Sequence, residues 1–426
     1  MKVNLITLGC KLNIYETEQM QKSFIANNFD LVQTEEKADI YVINTCTVTT
    51  KSDTKSRKII RKVKKNNPDS LVIVTGCYAK TDKAYLMNMP EIDLVLGNKI
   101  NIVDQIISQF KLKKQSISKK KSYAEFFRSR GFLKVQDGCD NYCTYCKVPF
   151  ARGEPYSKPI KQVKEEIKQY LDLGYEELIL SGLNLGCYDD NGINLTGLLK
   201  HILNIDSGFR LRISSLEPQY FNPELIDLLL HEPRICPHYH IPLQHASDKI
   251  LKLMERKYNN QYYYKMIDKI NKNNPHLATD IIIGFPSETD KDYHQLIKMI
   301  SDIKFASLHI FPFQRRKGTK AYFFKDKIPQ RIRDERCRQL AKLAKKLNYE
   351  YRQKYLQKTL HIVLETNNKK RSDDSADNWC GVSENYIRFE NISIKNVSIE
   401  NQDLTGKIIK VQFMKIENNH NICHPV

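Results

Sequence analysis

The chain has 426 residues, enough for two or three domains and a sizeable core. Hydrophobic residues make up 41% and charged residues 27%, no apolar run is long enough to span a bilayer, and Met1–Cys10 lacks the pattern of a signal peptide, so the expected location is the cytoplasm. The net charge of +19 and pI of about 9.2 suit a polyanionic partner, although a composition rich in Lys, Asn and Ile also raises charge without one.

In chain order, apolar runs at Leu5–Leu8, Asp39–Ile43, Leu71–Val74 and Asp93–Leu96 alternate with helical stretches at Glu16–Asn27, Lys51–Lys65 and Ile102–Phe110. This alternation predicts an α/β domain over 1–112, a doubly wound parallel sheet with helices on both faces. A lysine-rich stretch (Lys111, Lys113, Lys114, Lys119, Lys120, Lys121) reads as a basic linker, placed at 113–128. Strands are then expected at Phe132–Asp137, Glu177–Ser181, Arg210–Ser214, Tyr239–Leu243, Thr279–Ile283 and Ala306–Phe311. Helices such as Lys161–Leu173, Pro223–Leu230 and Asp290–Ile303 intervene. Six such units make a partial (β/α)6 barrel, since eight would need more chain. With the basic helix Arg331–Leu356 it occupies 129–356. Short runs at Leu360–Glu365, Trp379–Val382, Tyr386–Phe389, Ile392–Val397 and Ile408–Phe413 predict a small antiparallel β-barrel over 357–421.

The chain has 11 cysteines, and in a reducing compartment clustered ones bind metal or do catalysis rather than form disulfides. Cys139, Cys143 and Cys146 are separated by gaps of three and two residues, so one loop can offer three thiolates to an iron–sulfur cluster and leave one iron without a protein ligand. A structural zinc site usually takes four ligands, and no fourth Cys or His lies nearby. The spacing, directly after the first expected barrel strand, resembles the radical S-adenosylmethionine superfamily. The resemblance implies that the open iron binds the amino and carboxylate groups of S-adenosylmethionine, whose reductive cleavage yields a 5′-deoxyadenosyl radical.

A second triad is dispersed. Cys10, Cys46 and Cys77 each follow one of the first three apolar runs, and in a parallel sheet those strand ends share the edge where ligands bind. Gly9 and Gly76 precede two of them and allow close backbone approach. The stretches Thr7–Glu16, Asn44–Thr49, Thr75–Ala79 and Pro149–Gly153 resemble the radical methylthiotransferase family. So do Ser214–Pro218, Ile241–Ser247, Asp280–Pro286 and Phe311–Phe313. Asn385–Arg388 is similar to the family's RNA-binding TRAM domain. Gly9–Glu16 resembles the branch acting on N6-threonylcarbamoyladenosine in tRNA; other branches act on isopentenyladenosine or a ribosomal protein.

The resemblance implies two 4Fe–4S clusters, one held by Cys10, Cys46 and Cys77, the other by Cys139, Cys143 and Cys146. It also implies S-adenosylmethionine, tRNA entered at the anticodon loop, an electron donor such as a flavodoxin or ferredoxin, a sulfur donor and no membrane. The expected reaction adds a methylthio group to C2 of the adenosine at position 37. A non-catalytic metal- and RNA-binding protein is the contrasting class. Candidate cofactor contacts are Ser181, Gly182 and Ser215 at strand ends, with Gln244 and Arg256 by family position. Lys147 and Ala246 depart from the family pattern without removing a ligand. His238 and His240 alternate on a strand and, without a third ligand, read as barrel histidines. Cys187, Cys236, Cys337, Cys380 and Cys423 show no ligand spacing. Phosphate contacts are expected from the linker (Lys111–Lys121, Arg128, Arg130) and the basic segment Arg315–Lys358, including Arg316, Arg333 and Arg336, and base stacking from Trp379, Tyr386 or Phe389.

Overall fold

The computed structural model describes residues 1–33, 36–97, 101–112, 128–325, 328–365, 378–393 and 404–426; the expected linker, apart from Arg128, and Val397 lie outside them. Two units emerge, and they are discontinuous where the sequence suggested three consecutive domains. The first gathers Met1–Phe127, Gly138–Glu154 and Gln314–Tyr322.

In this first unit β1 (Lys2–Thr7) is followed by α1 (Lys11–Ala26), β2 (Asp30–Leu31), β3 (Ile40–Thr45), α2 (Thr50–Asn66) and β4 (Leu71–Gly76). Then come α3 (Cys77–Thr81), α4 (Lys83–Met87), β5 (Leu94–Leu96) and α5 (Ile102–Phe110). The strands form one parallel sheet in the order β2-β1-β3-β4-β5. β3 is buried at every residue, and its side chains alternate between two cores. Ile40 and Val42 pack with Phe24 of α1 and Ile106 of α5; Tyr41 and Ile43 pack with Ile60 and Val63 of α2. Each fully buried Ile or Val is worth about 2 kcal/mol, so helices on both faces are required. α1 starts at Lys11, earlier than expected, because Leu12, Tyr15 and Glu16 are already buried.

The second unit gathers Arg128–Asp137, Pro155–Phe313 and Phe323–Val426. It begins with β6 (Gly131–Lys134) and β7 (Gln136–Asp137); after them α6 (Val148–Arg152) belongs to the first unit. β8 (Tyr156–Ser157), α7 (Ile160–Asp172), β9 (Glu177–Ser181), the hairpin β10 (Asp189–Asp190) and β11 (Ile193–Asn194), α8 (Leu195–Leu203), β12 (Arg210–Ile213) and α9 (Pro223–His231) follow. The barrel continues with β13 (His238–His240), α10 (Asp248–Leu253), α11 (Asn260–Ile270), β14 (His276–Ile283), α12 (Asp290–Ile303), β15 (Ser307–Pro312) and α13 (Gln330–Gln353). Parallel sheets β6-β9-β12 and β13-β14-β15 are joined by a parallel bridge from Leu211 to Ile235, and no described residue pairs β15 with β6. The six-stranded barrel is therefore open, as its length required.

The chain ends in an antiparallel sheet, β16 (Thr359–Glu365), β17 (Asn378–Ser383), β18 (Arg388–Ser393), β19 (Ile408–Glu417) and β20 (His420–Pro425), in the order β18-β17-β16-β19-β20. Its edge strands β18 and β20 lie side by side and nearly close a barrel. Two corrections apply. The runs read as separate strands at Tyr386–Phe389 and Ile392–Val397 share the single strand β18. β20 was not read from the sequence, and it runs past residue 421.

A buried charged cluster sits on the barrel strands β9 and β12. Glu177 is fully buried and lies 2.6 Å from Arg210 and 2.8 Å from Arg212. Burial would raise its pKa, but the Arg212 and Arg210 charges outweigh that and lower it to about 2. Arg212 also donates to the Ser383 and Glu384 carbonyls at 2.9 and 3.0 Å, and Arg210 to His361 O at 2.6 Å. The terminal sheet is thereby docked onto the barrel.

Candidate active site

The parallel register aligns the ends of β1, β3 and β4, with Thr7 opposite Asn44 and Thr45 opposite Gly76. Cys10 lies three residues past β1, while Cys46 and Cys77 come directly after β3 and β4. Asn13, fully buried, ties two of these loops: its Nδ2 donates to Leu8 O at 2.7 Å and to Thr45 O at 3.0 Å. Gly9 has φ +109°, and a Cβ there would lie 2.6 Å from Cys46 Cβ; Gly76 has φ +98°, and a Cβ would lie 2.3 Å from Thr45 O. Neither position has room for a side chain, which is how the three cysteines come so near one another. Burial pushes the Cys46 thiol up; the Val48 amide opposes this, and the sulfurs of Cys10 and Cys77 add to the rise. Three cysteine sulfurs delivered to one sheet edge are a ligand set that fits an iron–sulfur cluster, with one iron left without a protein ligand.

The Cys139–Cys146 loop is folded tightly. Cys139 N donates to Gly153 O at 3.1 Å and Cys146 N to Cys143 O at 2.9 Å. Gly138 has φ +76°, and a Cβ there would lie 1.9 Å from Glu154 O. Both triads belong to the same unit, and Arg152, on the helix that follows the second, reaches the first. Its Nε donates to Cys77 Sγ at 3.1 Å, one Nη to Asn13 Oδ1 at 2.7 Å, and it pairs with buried Glu16. Lys147, which departs from the family pattern, pairs with Asp82 at 3.0 Å. Arg152 was not singled out, because nothing in a sequence marks which arginine is folded inward.

In the second unit, Ser181 ends β9 fully buried, with Oγ 3.4 Å from Ile179 O, and a Cβ on Gly182 would meet Leu185 at 2.7 Å. Ser214 Oγ is buried with no partner among the described residues, beside half-buried Ser215. An orphaned hydroxyl at a strand end fits a polar ligand. Gln244 sits at φ +60°, its amide donating to Asp280 O at 2.8 Å. Arg256 is committed to an ion pair with Glu217. His238 stacks on Tyr386 at 4.0 Å, whereas His240 faces Asp280 and His309, two neighbours that the sequence did not reveal.

Several residues expected to face RNA are turned inward. Arg316 donates to Thr47 O at 2.7 Å and pairs with Asp53 at 2.9 Å. Arg336 is buried against Glu288 and Asp290, Arg333 donates to Phe313 O at 3.2 Å, and Arg130 pairs with Glu365 at 2.7 Å. Trp379 and Phe389 belong to the core of the terminal sheet. Others of the basic segment, Arg331, Arg338, Lys342, Lys345 and Lys346, are exposed on α13, and a second exposed cationic feature lies on α2, where Lys51, Lys55, Lys58, Lys62 and Lys65 are all exposed. Their spacing of three and four residues forms one stripe.

A family described as "Uncharacterized protein family UPF0004" matches residues 2–97, and the radical SAM superfamily matches residues 133–300. The threonylcarbamoyladenosine tRNA methylthiotransferase MtaB of Bacillus subtilis is 35% identical, covering 96% of this chain and 93% of the relative. The protein of that name from Aquifex aeolicus is 34% identical over 96% of this chain and 100% of its own. The tRNA-2-methylthio-N(6)-dimethylallyladenosine synthase of Lawsonia intracellularis is 32% identical, covering 89% and 90%. Among solved structures, the radical S-adenosylmethionine methyltransferase TsrM from Kitasatospora setae shares the fold, with a TM-score of 0.57, 14% identity, and 75% and 76% of the chains covered. Two cysteine triads held in one unit, matches to both families and relatives spanning nearly the whole chain lead to one conclusion: the chain belongs to the radical S-adenosylmethionine methylthiotransferase family.

Proposed function

We propose that this enzyme adds a methylthio group to C2 of N6-threonylcarbamoyladenosine at position 37 of tRNA. The observation that carries the substrate is the 35% identity, over 96% of the chain, to a relative named for that nucleoside. In this reading Cys10, Cys46 and Cys77 hold one 4Fe–4S cluster and Cys139, Cys143 and Cys146 the other. When bound, the clusters and S-adenosylmethionine supply the electron, the methyl group and the hydrogen-abstracting chemistry that an adenine C–H bond requires. Arg152 orients the Cys77 sulfur. Ser181, Gly182, Ser215 and Gln244 receive S-adenosylmethionine, Arg256 acts through its pair with Glu217, and the terminal sheet serves as a TRAM-like module. A flavodoxin or ferredoxin and a sulfur donor complete the cycle in the cytoplasm.

Nucleosides of tRNA from a deletion strain test this by mass spectrometry. Methylthio-threonylcarbamoyladenosine is expected to vanish and its precursor to accumulate. Loss of the methylthio-dimethylallyl nucleoside instead supports the second reading, which the 32% identical Lawsonia relative favours. An unchanged nucleoside profile removes both.

The α2 stripe gives tRNA phosphates a place to bind in the first unit. Changing Lys51, Lys55 and Lys58 to alanine is expected to weaken tRNA binding and to lower the slope of log Kd against log salt by about 2. An unchanged slope assigns the stripe to solvent alone.

A further inference from the structure

Three side chains from adjacent strands β13, β14 and β15 converge in the barrel, none assigned a role above. Asp280 pairs with His309 across the register, and His309 Nδ1 lies 3.1 Å from Asp280 Oδ1. His240 Nε2 stands 3.0 Å from the same oxygen, an ion-pair contact off the hydrogen-bonding line. The two imidazoles meet edge to face with centroids 4.9 Å apart. The cluster adjoins the candidate cofactor residues: Gln244 N donates to Asp280 O, and the charges of Asp280 and His240 reach Glu217, the partner of Arg256. Burial would raise the Asp280 pKa, but its contacts with His240 and His309 outweigh it and hold the carboxyl well below its usual range.

An ionised carboxylate only accepts, so Nδ1 of His309 carries the proton of that hydrogen bond. Its Nε2 is left as a second polar atom on a side chain that is 52% exposed. A chelating set would aim three lone pairs at one centre. Here the His309 nitrogen points its N–H at the carboxylate instead, an arrangement that favours hydrogen bonding to an organic ligand.

We propose that His240, Asp280 and His309 read the polar arm of the substrate adenosine. The inference rests on the substrate named under Proposed function. A threonylcarbamoyl arm brings urea N–H groups and a hydroxyl that can donate to Asp280 and to Nε2 of His309. A dimethylallyl arm has no donor and leaves those acceptors desolvated and unpaired, the situation in which polar sites discriminate most strongly.

The test compares binding of two anticodon stem-loops by the reconstituted enzyme, one bearing threonylcarbamoyladenosine and one with plain adenosine. Wild type is expected to prefer the first by about tenfold or more. His309→Ala and Asp280→Asn should bring that preference below about threefold without changing affinity for the plain stem-loop, and His309→Gln should restore part of it. A misfolded variant would lose both affinities, so the ratio reports on the arm alone. Variants that keep the wild-type preference overturn the assignment. So does one equivalent of zinc or manganese that is present in wild type and absent from His309→Ala, which would make the cluster a metal site. A wild type without any preference overturns the substrate reading itself, a different failure.

Discussion

Replacing Cys139, Cys143 and Cys146 together by alanine is expected to lower the iron of the anaerobically reconstituted protein from about eight to about four atoms per chain. Reductive cleavage of S-adenosylmethionine should fall to background. The matching change of Cys10, Cys46 and Cys77 should remove a similar amount of iron yet retain cleavage, while methylthio transfer is lost. The asymmetry is expected because S-adenosylmethionine is assigned to the Cys139, Cys143 and Cys146 cluster alone, which leaves the Cys10, Cys46 and Cys77 cluster to hold the sulfur that is transferred. Both lie in one unit, and Arg152 beyond the second triad bonds to Cys77 of the first, so the iron count must be read with cleavage to separate loss of one cluster from collapse of both. A wild type with about four irons, all lost in the first variant, would leave Cys10, Cys46 and Cys77 without a cluster. Equal loss of cleavage in both variants would end the division of labour.

Glu177→Gln is expected to lower the thermal midpoint of the second unit by roughly 10 °C. The carboxylate is fully buried and neutralises Arg210 and Arg212, and Arg212 is itself fully buried. Removing one partner of such a cluster costs about 3–5 kcal/mol, because a guanidinium is left uncompensated. At this size each kcal/mol moves the midpoint by about 2–4 °C. The pH dependence has a definite sign. The folded-state pKa is depressed to about 2 from the ordinary 4.5, so the stabilisation is fully present above about 4.5 and is lost as pH falls towards 2. That difference corresponds to about 3 kcal/mol. Glu177→Asp, which keeps the charge, should lose less. A midpoint for Glu177→Gln within about 2 °C of wild type would mean that the arginines find other partners.

The cysteines were legible because a parallel sheet turns sequence position into spatial position. A residue just past an apolar run must reach the strand-end edge, whatever lies between Cys10, Cys46 and Cys77. The inward arginines were not legible. Arg316 and Arg336 look in sequence like any others in a basic segment, and only distant partners such as Thr47 and Glu288 decide their direction. Trp379 and Phe389 read as stacking aromatics, but a small barrel has little volume and uses its largest side chains to fill it. β20 escaped notice because His420–Pro425 has one β-branched residue and ends at proline, so its place depends on pairing with β19. The His240–Asp280–His309 cluster was half visible: the strand placed one histidine, while the other members lie one and two strands away.

The discontinuity of the first unit bears on how the protein is made. Cys77 meets Arg152, 75 residues downstream, and Thr47 meets Arg316, 269 residues downstream. Ala321 donates from the last returning segment to Thr144 in the second cysteine loop. The ribosome must therefore release about three-quarters of the chain before the N-terminal sheet acquires all its partners, so the earliest cysteines emerge long before their protein surroundings exist. Both clusters are therefore best loaded onto a chain whose synthesis is essentially finished.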